Sequence, residues 1–439
     1  MTLDTAPRAT TGEESDAATP LPRPGFALVE GVLHAENVPL DIIADAVGTP
    51  VYVYSRGGIE HQYDRLAAAL PAHATIAFAV KSNPNLGVIA VLAARGAGAD
   101  VVSGGEMLRA LAGGVPPARI VFSGVGKTLA EHEAALATGI GQINVESEPE
   151  LAMLSAVAAR MGVTARVALR VNPDVEAGTH TKISTGRKED KFGIPAARAL
   201  AAAELARSLP GIEVCGLAVH IGSQLTTLDP FERSFEALGE LMRTLRAAGH
   251  TIDTMDLGGG LGVRYAPGDP EPPPVEAYGA MVARATRGWD ARLIFEPGRY
   301  LVAEAGLLLT TVILVKEGVD RRFVVVDAAM NDLLRPSLYG AFHDIRSVRP
   351  TGERFEADVV GPACESGDTF ARARTIDTVQ AGDRVAIMTA GAYGASLAST
   401  YNSRPLVPEA MASGDMWRLV AKRVPVADMI ALESVPDWS

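Results

Sequence analysis

Between residues 48 and 304 the chain alternates short apolar runs with Ala- and Leu-rich segments whose apolar residues recur at helical spacing. The runs are "TIAFAV", "ADVVS", "RIVFSG", "QINVES", "ARVALRVN", "VCGLAVHIGS", "TMDLGGG" and "RLIFEPGR", each separated from the next by enough residues for a helix. Eight strand-helix repeats in this length predict an α/β protein built on a (β/α)₈, TIM-like barrel, with an open doubly wound sheet as the alternative the pattern leaves. Beyond residue 305 the rhythm changes. "LLLTTVILVK", "RFVVVDAA", "FEADVVGPA", "RVAIMTAGA" and "WRLVAKRVPV" follow one another without regular helices between them, which predicts a second, mainly antiparallel β domain. The early run "FALVEGVLHAE" is assigned to that domain, which therefore comprises 25–47 and 305–439, with 48–304 as the barrel. Residues 1–24 lack apolar periodicity and read as a disordered tail. The Pro-rich "APGDPEPPPVEAY" at 266–278 reads as a surface loop before the last barrel helix.

Composition narrows the chemistry. A net charge of −12 without a long basic run excludes a nucleic-acid surface, which needs clustered Lys and Arg. Cys215 and Cys364 are too far apart for a CxxC metal or redox motif, and such sparse cysteine usage suits a reducing cytoplasm. The longest apolar stretch, around Gly306 to Val315, is too short to cross a bilayer, and the N-terminus lacks the layout of a signal peptide. A cytoplasmic protein acting on a small molecule is expected, with no nucleic acid, membrane or metal involved.

In a barrel the reactive face lies at the C-terminal ends of the strands. Those ends carry Lys81, Asp100 and Ser103, His220 and Ser223, Gly258 to Gly260, and Glu296 with Arg299. Singly, each has an ordinary structural explanation: a solvated charge, a core imidazole, a tight turn, an ion pair. Together they are the parts that hold pyridoxal phosphate. Lys81, approached by apolar residues that lower the cost of its neutral form, can form a Schiff base with an aldehyde. The glycines can bring backbone N–H groups to a phosphate. Glu296 can keep the pyridine nitrogen protonated, and His220 can lie flat on the ring. Two look-alikes fail. "VFSGVGKT" has Val121 where a P-loop needs glycine, and "GGGLGV" has Val263 where a dinucleotide fingerprint needs one.

"FAVKSN", "HIGSQ", "DLGGGLG", "EPGR", "RPSLYGAFHDI", "GPACESGD" and "AGAYG" resemble, in order and spacing, the motifs of the diaminopimelate decarboxylase family over about residues 26–425. "STGRKEDKFGI", 184–194, is also close to that family, with Asp190 in place of a serine. The resemblance implies decarboxylation of meso-2,6-diaminopimelate to L-lysine and CO₂, the last step of lysine biosynthesis, by Lys81, His220 and Cys364, the last as proton donor. It implies cofactor contacts from Asp100, Ser223, Gly259, Gly260, Glu296, Gly298, Arg299 and Tyr393. Substrate contacts are implied for Arg299, Arg335, Tyr339, Tyr393 and, at the distal amine, Glu365. The family is a homodimer with shared sites, so the "ACES" segment is expected to reach the neighbouring subunit's barrel. A decarboxylase of ornithine, arginine or lysine on the same fold, or a non-catalytic relative that binds the cofactor, are the alternatives. Two arginines suit a substrate with a second carboxylate: hydrogen bonds to charged groups contribute roughly 1.5–3 kcal/mol each, enough for roughly 10⁴-fold discrimination.

Overall fold

The computed structural model describes residues 22–175 and 191–438. The eight apolar runs form eight parallel strands, Thr75–Ala79, Gly98–Val101, Ile120–Phe122, Gln142–Val145, Ala165–Asn172, Ile212–Ala218, Thr254–Asp256 and Arg292–Phe295. Pairing of the eighth with the first, and of the fourth with the fifth, closes the ring. These strands read as continuous apolar runs because helices cover their outer faces while side chains fill the interior.

The turns that leave the strands start their helices by local capping. The side-chain oxygens of Asn85, Ser103, Thr128 and Ser147 accept from the first-turn N–H groups of the helices Leu86–Ala94, Gly104–Ala112, Leu129–Thr138 and Glu148–Met161. Thr128 completes a capping box with Glu131. Ser103, which the strand-end pattern grouped with the reactive residues, is therefore a helix cap. One glycine is required by packing: helix Val275–Ala285 lies so close to helix Arg56–Ala69 that a Cβ on Gly279 would stand 2.1 Å from the Ala69 carbonyl oxygen.

The second domain is a nine-stranded sheet around the long strand Gly306–Glu317, which pairs antiparallel with Arg322–Val326, Arg384–Ile387 and Val51–Ser55. Three assignments differ from the sequence reading. Val51–Ser55 falls in the stretch assigned to the barrel, but it sits inside the second sheet, between Gly306–Glu317 and Glu409–Ser413, and is buried throughout. The early run adds no strand to that sheet; it folds into its own three-stranded sheet, Phe26–Val29, Val32–Ala35 and Val38–Pro39, packed under it through Phe26, Leu33 and Val38. Arg23, placed in the disordered tail, is buried and paired with Glu304; the rest of that tail, up to residue 21, lies outside the described residues. Residues 184–190 of "STGRKEDKFGI", Asp190 included, also lie outside them.

The P-loop look-alike has a structural role. Lys127 is buried beneath the barrel rim, donating to the carbonyls of Gly124 (2.9 Å) and Asn144 (2.7 Å) and to Glu150 Oε1 (2.6 Å). His132, fully buried, stands 3.9 Å from the same Glu150 oxygen with neither ring nitrogen hydrogen-bonded. Burial and the Lys127 ammonium push it down to about 4, against the smaller opposing effect of Glu131. The unfolded chain therefore takes up this proton first, and stability is lost as pH falls from about 6.5 towards the folded value. His132→Leu removes the titration: between pH 7.5 and 5 the wild type is expected to lose about 2 kcal/mol more than the variant in chemical denaturation. Parallel losses in both would contradict the burial of a neutral imidazole here.

Candidate active site

The C-terminal mouth of the barrel opens on a cavity of about 420 Å³, within the range of small-molecule sites, lined by Lys81, His220, Glu296, Ser123, Asn144, Arg170 and Phe192 among others. Lys81 sits in the turn Val80–Ser82 that follows the first strand, with 35% of its side chain accessible, and its Nζ donates to Asp100 Oδ2 at 2.8 Å. Asp100, next to last in the second strand, is fully buried; its other oxygen, Oδ1, is buried without a partner.

Burial disfavours the charge on Lys81, yet the negative charge of Asp100 and the nearby Glu296 and Tyr393 outweigh it, and the amine is held above the usual lysine range. This corrects the expectation of a neutral amine favoured by an apolar approach. The strand leading to Lys81 is apolar, but what its nitrogen meets is the Asp100 carboxylate.

Glu296 follows the eighth strand and is buried. Desolvation, followed by the charges of Asp100 and Asp256, raises it well above the carboxylate range, against the pull of Lys81. Asp256, at the end of the seventh strand, is raised too, chiefly by burial, and the two acids are hydrogen-bonded to each other. Three carboxyl groups around one ammonium cannot all ionise, so this pair retains a proton near neutral pH. Asn144 Nδ2 donates to Asp256 Oδ2 at 2.9 Å and to Ser123 Oγ at 3.1 Å, and Gln142 holds Asn144 by its Oδ1 at 2.8 Å.

His220, after the sixth strand, lines the cavity. Burial, then Lys81 and Arg170, drive it well below the normal imidazole range, and its Nδ1 accepts from the Gly259 N–H at 3.2 Å, so the ring is neutral with its proton on Nε2. Gly259 and Gly260 pass so close to neighbouring backbone that a Cβ would stand 2.1 Å from the Glu296 carbonyl and 2.7 Å from that of Gly222. Gly298 begins the short helix Arg299–Val302 against Ser82.

Arg299 is buried; its Nη2 donates to Ser223 Oγ at 3.0 Å and its Nη1 to the Tyr265 hydroxyl at 2.7 Å, and it lies over the Tyr393 ring at 4.8 Å. Arg335, opening the helix Arg335–Tyr339 of the second domain, is buried against the other side of the group, 4.4 Å over the Tyr265 ring. Tyr339 closes that helix near both arginines. Tyr393, at a left-handed φ of 55°, ties the domains together by donating its N–H to Ser82 O at 2.8 Å. Cys364 and Glu365 stand apart: both are exposed, in the loop before strand Thr369–Asp377, and neither lines the cavity of their own chain.

The sequence reading did not single out Ser123, Asn144, Asp256, Arg170 or Tyr265. Ser123 and Asp256 stand where the third and seventh strands end, so the strand-end rule applied to every run would have found them, whereas Asn144 lies inside the fourth strand, one residue before its end. Tyr265 adjoins the Pro-rich stretch read as surface loop, and no local pattern marks it as buried.

An amine, a proton-retaining acid and a neutral imidazole around one cavity, with a glycine turn packed against that imidazole, fit pyridoxal phosphate, and they define a barrel-type pyridoxal phosphate enzyme. Residues 56–303 match the family model described as "Pyridoxal-dependent decarboxylase, pyridoxal binding domain". The chain is 53% identical to the diaminopimelate decarboxylase of Zymomonas mobilis over 417 residues, 94% of this chain and 99% of that one. It also resembles the crystal structures of diaminopimelate decarboxylase in complex with L-lysine from Helicobacter pylori (TM-score 0.86, 41% identity, 90% and 98% of the two chains) and from M. jannaschii (0.90, 36%, 94% and 98%). The chain belongs to the diaminopimelate decarboxylase family, and its cofactor is pyridoxal phosphate.

Proposed function

We propose a division of labour among these residues in the decarboxylation of meso-2,6-diaminopimelate to L-lysine and carbon dioxide. Pyridoxal phosphate, when bound, supplies an aldehyde that joins to amines and a ring that accepts the electron pair left by a departing carboxylate. Lys81 is the attachment point, and Asp100, 2.8 Å from its nitrogen, takes the proton that a cationic amine must lose before it reacts. With the cofactor bound, Glu296, backed by Asp256, would hold a proton for the ring nitrogen. His220, neutral, would support the ring, and Ser223, Gly259, Gly260, Gly298 and the backbone to Arg299 would hold the phosphate.

Arg299 and Arg335 meet the carboxylate at the far end of the substrate, with Tyr339 and Tyr393 beside them. The convergence of two buried guanidiniums on Tyr265 carries this assignment: a mono-carboxylate such as ornithine or lysine leaves them unmatched. Cys364 returns a proton to the carbon that has lost CO₂, and Glu365 binds the distal amine. Since both are exposed on their own chain, we place them in the barrel of a second copy, making the enzyme a homodimer with shared sites. An exposed thiol kept for acid chemistry suits a reducing compartment, and we place the protein in the cytoplasm. Among the described residues no helix is long and apolar enough to cross a membrane.

With cofactor present, the protein is expected to release CO₂ from meso-diaminopimelate and, by product analysis, yield L-lysine, with kcat/KM for ornithine, arginine and lysine lower by roughly 10⁴. Equal or faster turnover of a mono-carboxylate would replace this substrate assignment. Lys81→Ala and Cys364→Ala are each expected to be inactive, and mixing them under conditions of subunit exchange should restore up to about a quarter of wild-type activity, because half the dimers are mixed and each carries one intact site. No recovery after demonstrated exchange would place Cys364 in its own chain's site.

A further inference from the structure

The reading of Arg335 as a substrate contact leaves open what aims it. Its helix, Arg335–Tyr339, is five residues long and fixes only the backbone. An arginine side chain that must hold a fork-shaped geometry needs its rotamers locked by neighbours. Two neighbours do so. The Tyr265 ring takes the flat face of the guanidinium at 4.4 Å, and Nη1 stands 2.9 Å from Nε2 of His343, a fully buried imidazole eight residues on.

The hydrogen-bond partners of His343 settle its tautomer. Nδ1 lies 2.8 Å from the Met388 carbonyl oxygen, which can only accept, so Nδ1 carries the proton. Nε2 then presents a lone pair, and Arg335 donates into it. The ring also packs edge-on against Tyr265, with centroids 5.5 Å apart and planes at 76°. Arg335, Arg299 and Arg23 all oppose a charge on this imidazole, and Arg374 Nη1 donates to the His343 backbone carbonyl at 3.1 Å. Burial and these cations push the ring down to about 3, although the Met388 contact opposes them.

The choice of a neutral acceptor has a chemical consequence. A carboxylate in this place would orient Arg335 equally well, but it would cancel the positive charge that the substrate's far carboxylate is to meet. An imidazole without its second proton orients the guanidinium and leaves the charge intact.

We infer that His343 is a positioning residue for substrate recognition: its Nε2 lone pair, with the Tyr265 ring, fixes the direction of Arg335 so that the guanidinium is set for a second carboxylate before substrate arrives. His343 itself touches neither cofactor nor substrate. The inference rests on the assignment of Arg335 to the substrate's far carboxylate.

The test uses the cofactor-loaded enzyme and meso-diaminopimelate with three variants. His343→Asn keeps a donor for Met388 but offers Arg335 no acceptor; His343→Gln places its amide oxygen where Nε2 stands. His343→Asn is expected to raise KM roughly tenfold or more, the loss falling on KM rather than kcat, with the dissociation constant for pyridoxal phosphate unchanged. His343→Gln is expected to restore KM to within about threefold of wild type. Equal KM in the two variants, or a parallel loss of kcat and cofactor affinity, overturns the inference. Arg335→Met separates it from its foundation. If that variant leaves KM unchanged, the assignment of Arg335 has failed; if it raises KM and His343→Asn does not, His343 alone has failed. Should His343→Asn not fold, ¹⁵N-histidine NMR of the wild type decides: a neutral Nδ1–H ring at pH 6 is expected, and an Nε2–H or doubly protonated ring overturns the inference.

Discussion

The contact on which the site depends is the ion pair between Lys81 and Asp100, 2.8 Å long and set among carboxyl groups that have little water to share. Asp256, Glu296, Lys81 and Asp100 come from the seventh, eighth, first and second strands, which are neighbours around the ring. Closing the barrel therefore brings three acids and one amine to a single stretch of rim. In that low-dielectric space the acids cannot all be anions, and the ammonium becomes the cheapest neutraliser for the nearest of them. One arrangement thus fixes two protonation states at once: a cationic amine beside Asp100, and a proton retained by the Asp256 and Glu296 pair.

The second domain completes what the barrel begins. Tyr393 and Asn83 stitch it to the turn that carries Lys81, through Ser82 O and Gly391 O, so the arginine and tyrosine cluster is registered against the amine rather than against a distant surface. Arg299 from the barrel and Arg335 from the second domain share Tyr265, whose hydroxyl accepts from one and whose ring supports the other. Burial opposes ionisation of that phenol, and the two guanidiniums override it. The carboxyl groups thus gather around Lys81, while the two guanidiniums gather around Tyr265.

Much of this was legible in the residues. Eight apolar runs predicted eight strands because a parallel barrel strand is covered on both faces, and their closing residues predicted where chemistry would gather. Val51–Ser55 escaped because a buried strand looks the same whichever sheet receives it. The charge state of Lys81 is not legible in the sequence, which shows the apolar residues beside it along the chain, whereas its nitrogen answers to Asp100 and Glu296 across the rim. Tyr265 carries no local signal, because its role exists only once the second domain has docked, and His343, although inside "RPSLYGAFHDI", has nothing beside it in sequence that marks its bond to Arg335. The motifs "RPSLYGAFHDI" and "GPACESGD" marked Arg335 and Cys364 through resemblance, which periodicity could not have done.

The central claim is that the amine at position 81, held beside Asp100 at the mouth of a closed barrel, is where the cofactor joins the chain. Borohydride reduction of the cofactor-loaded protein followed by peptide mapping tests it most directly. The label is expected on the peptide containing Lys81 and absent from the Lys81→Ala variant. A label on another lysine, or none in wild type that shows the cofactor's visible absorption, would contradict the account.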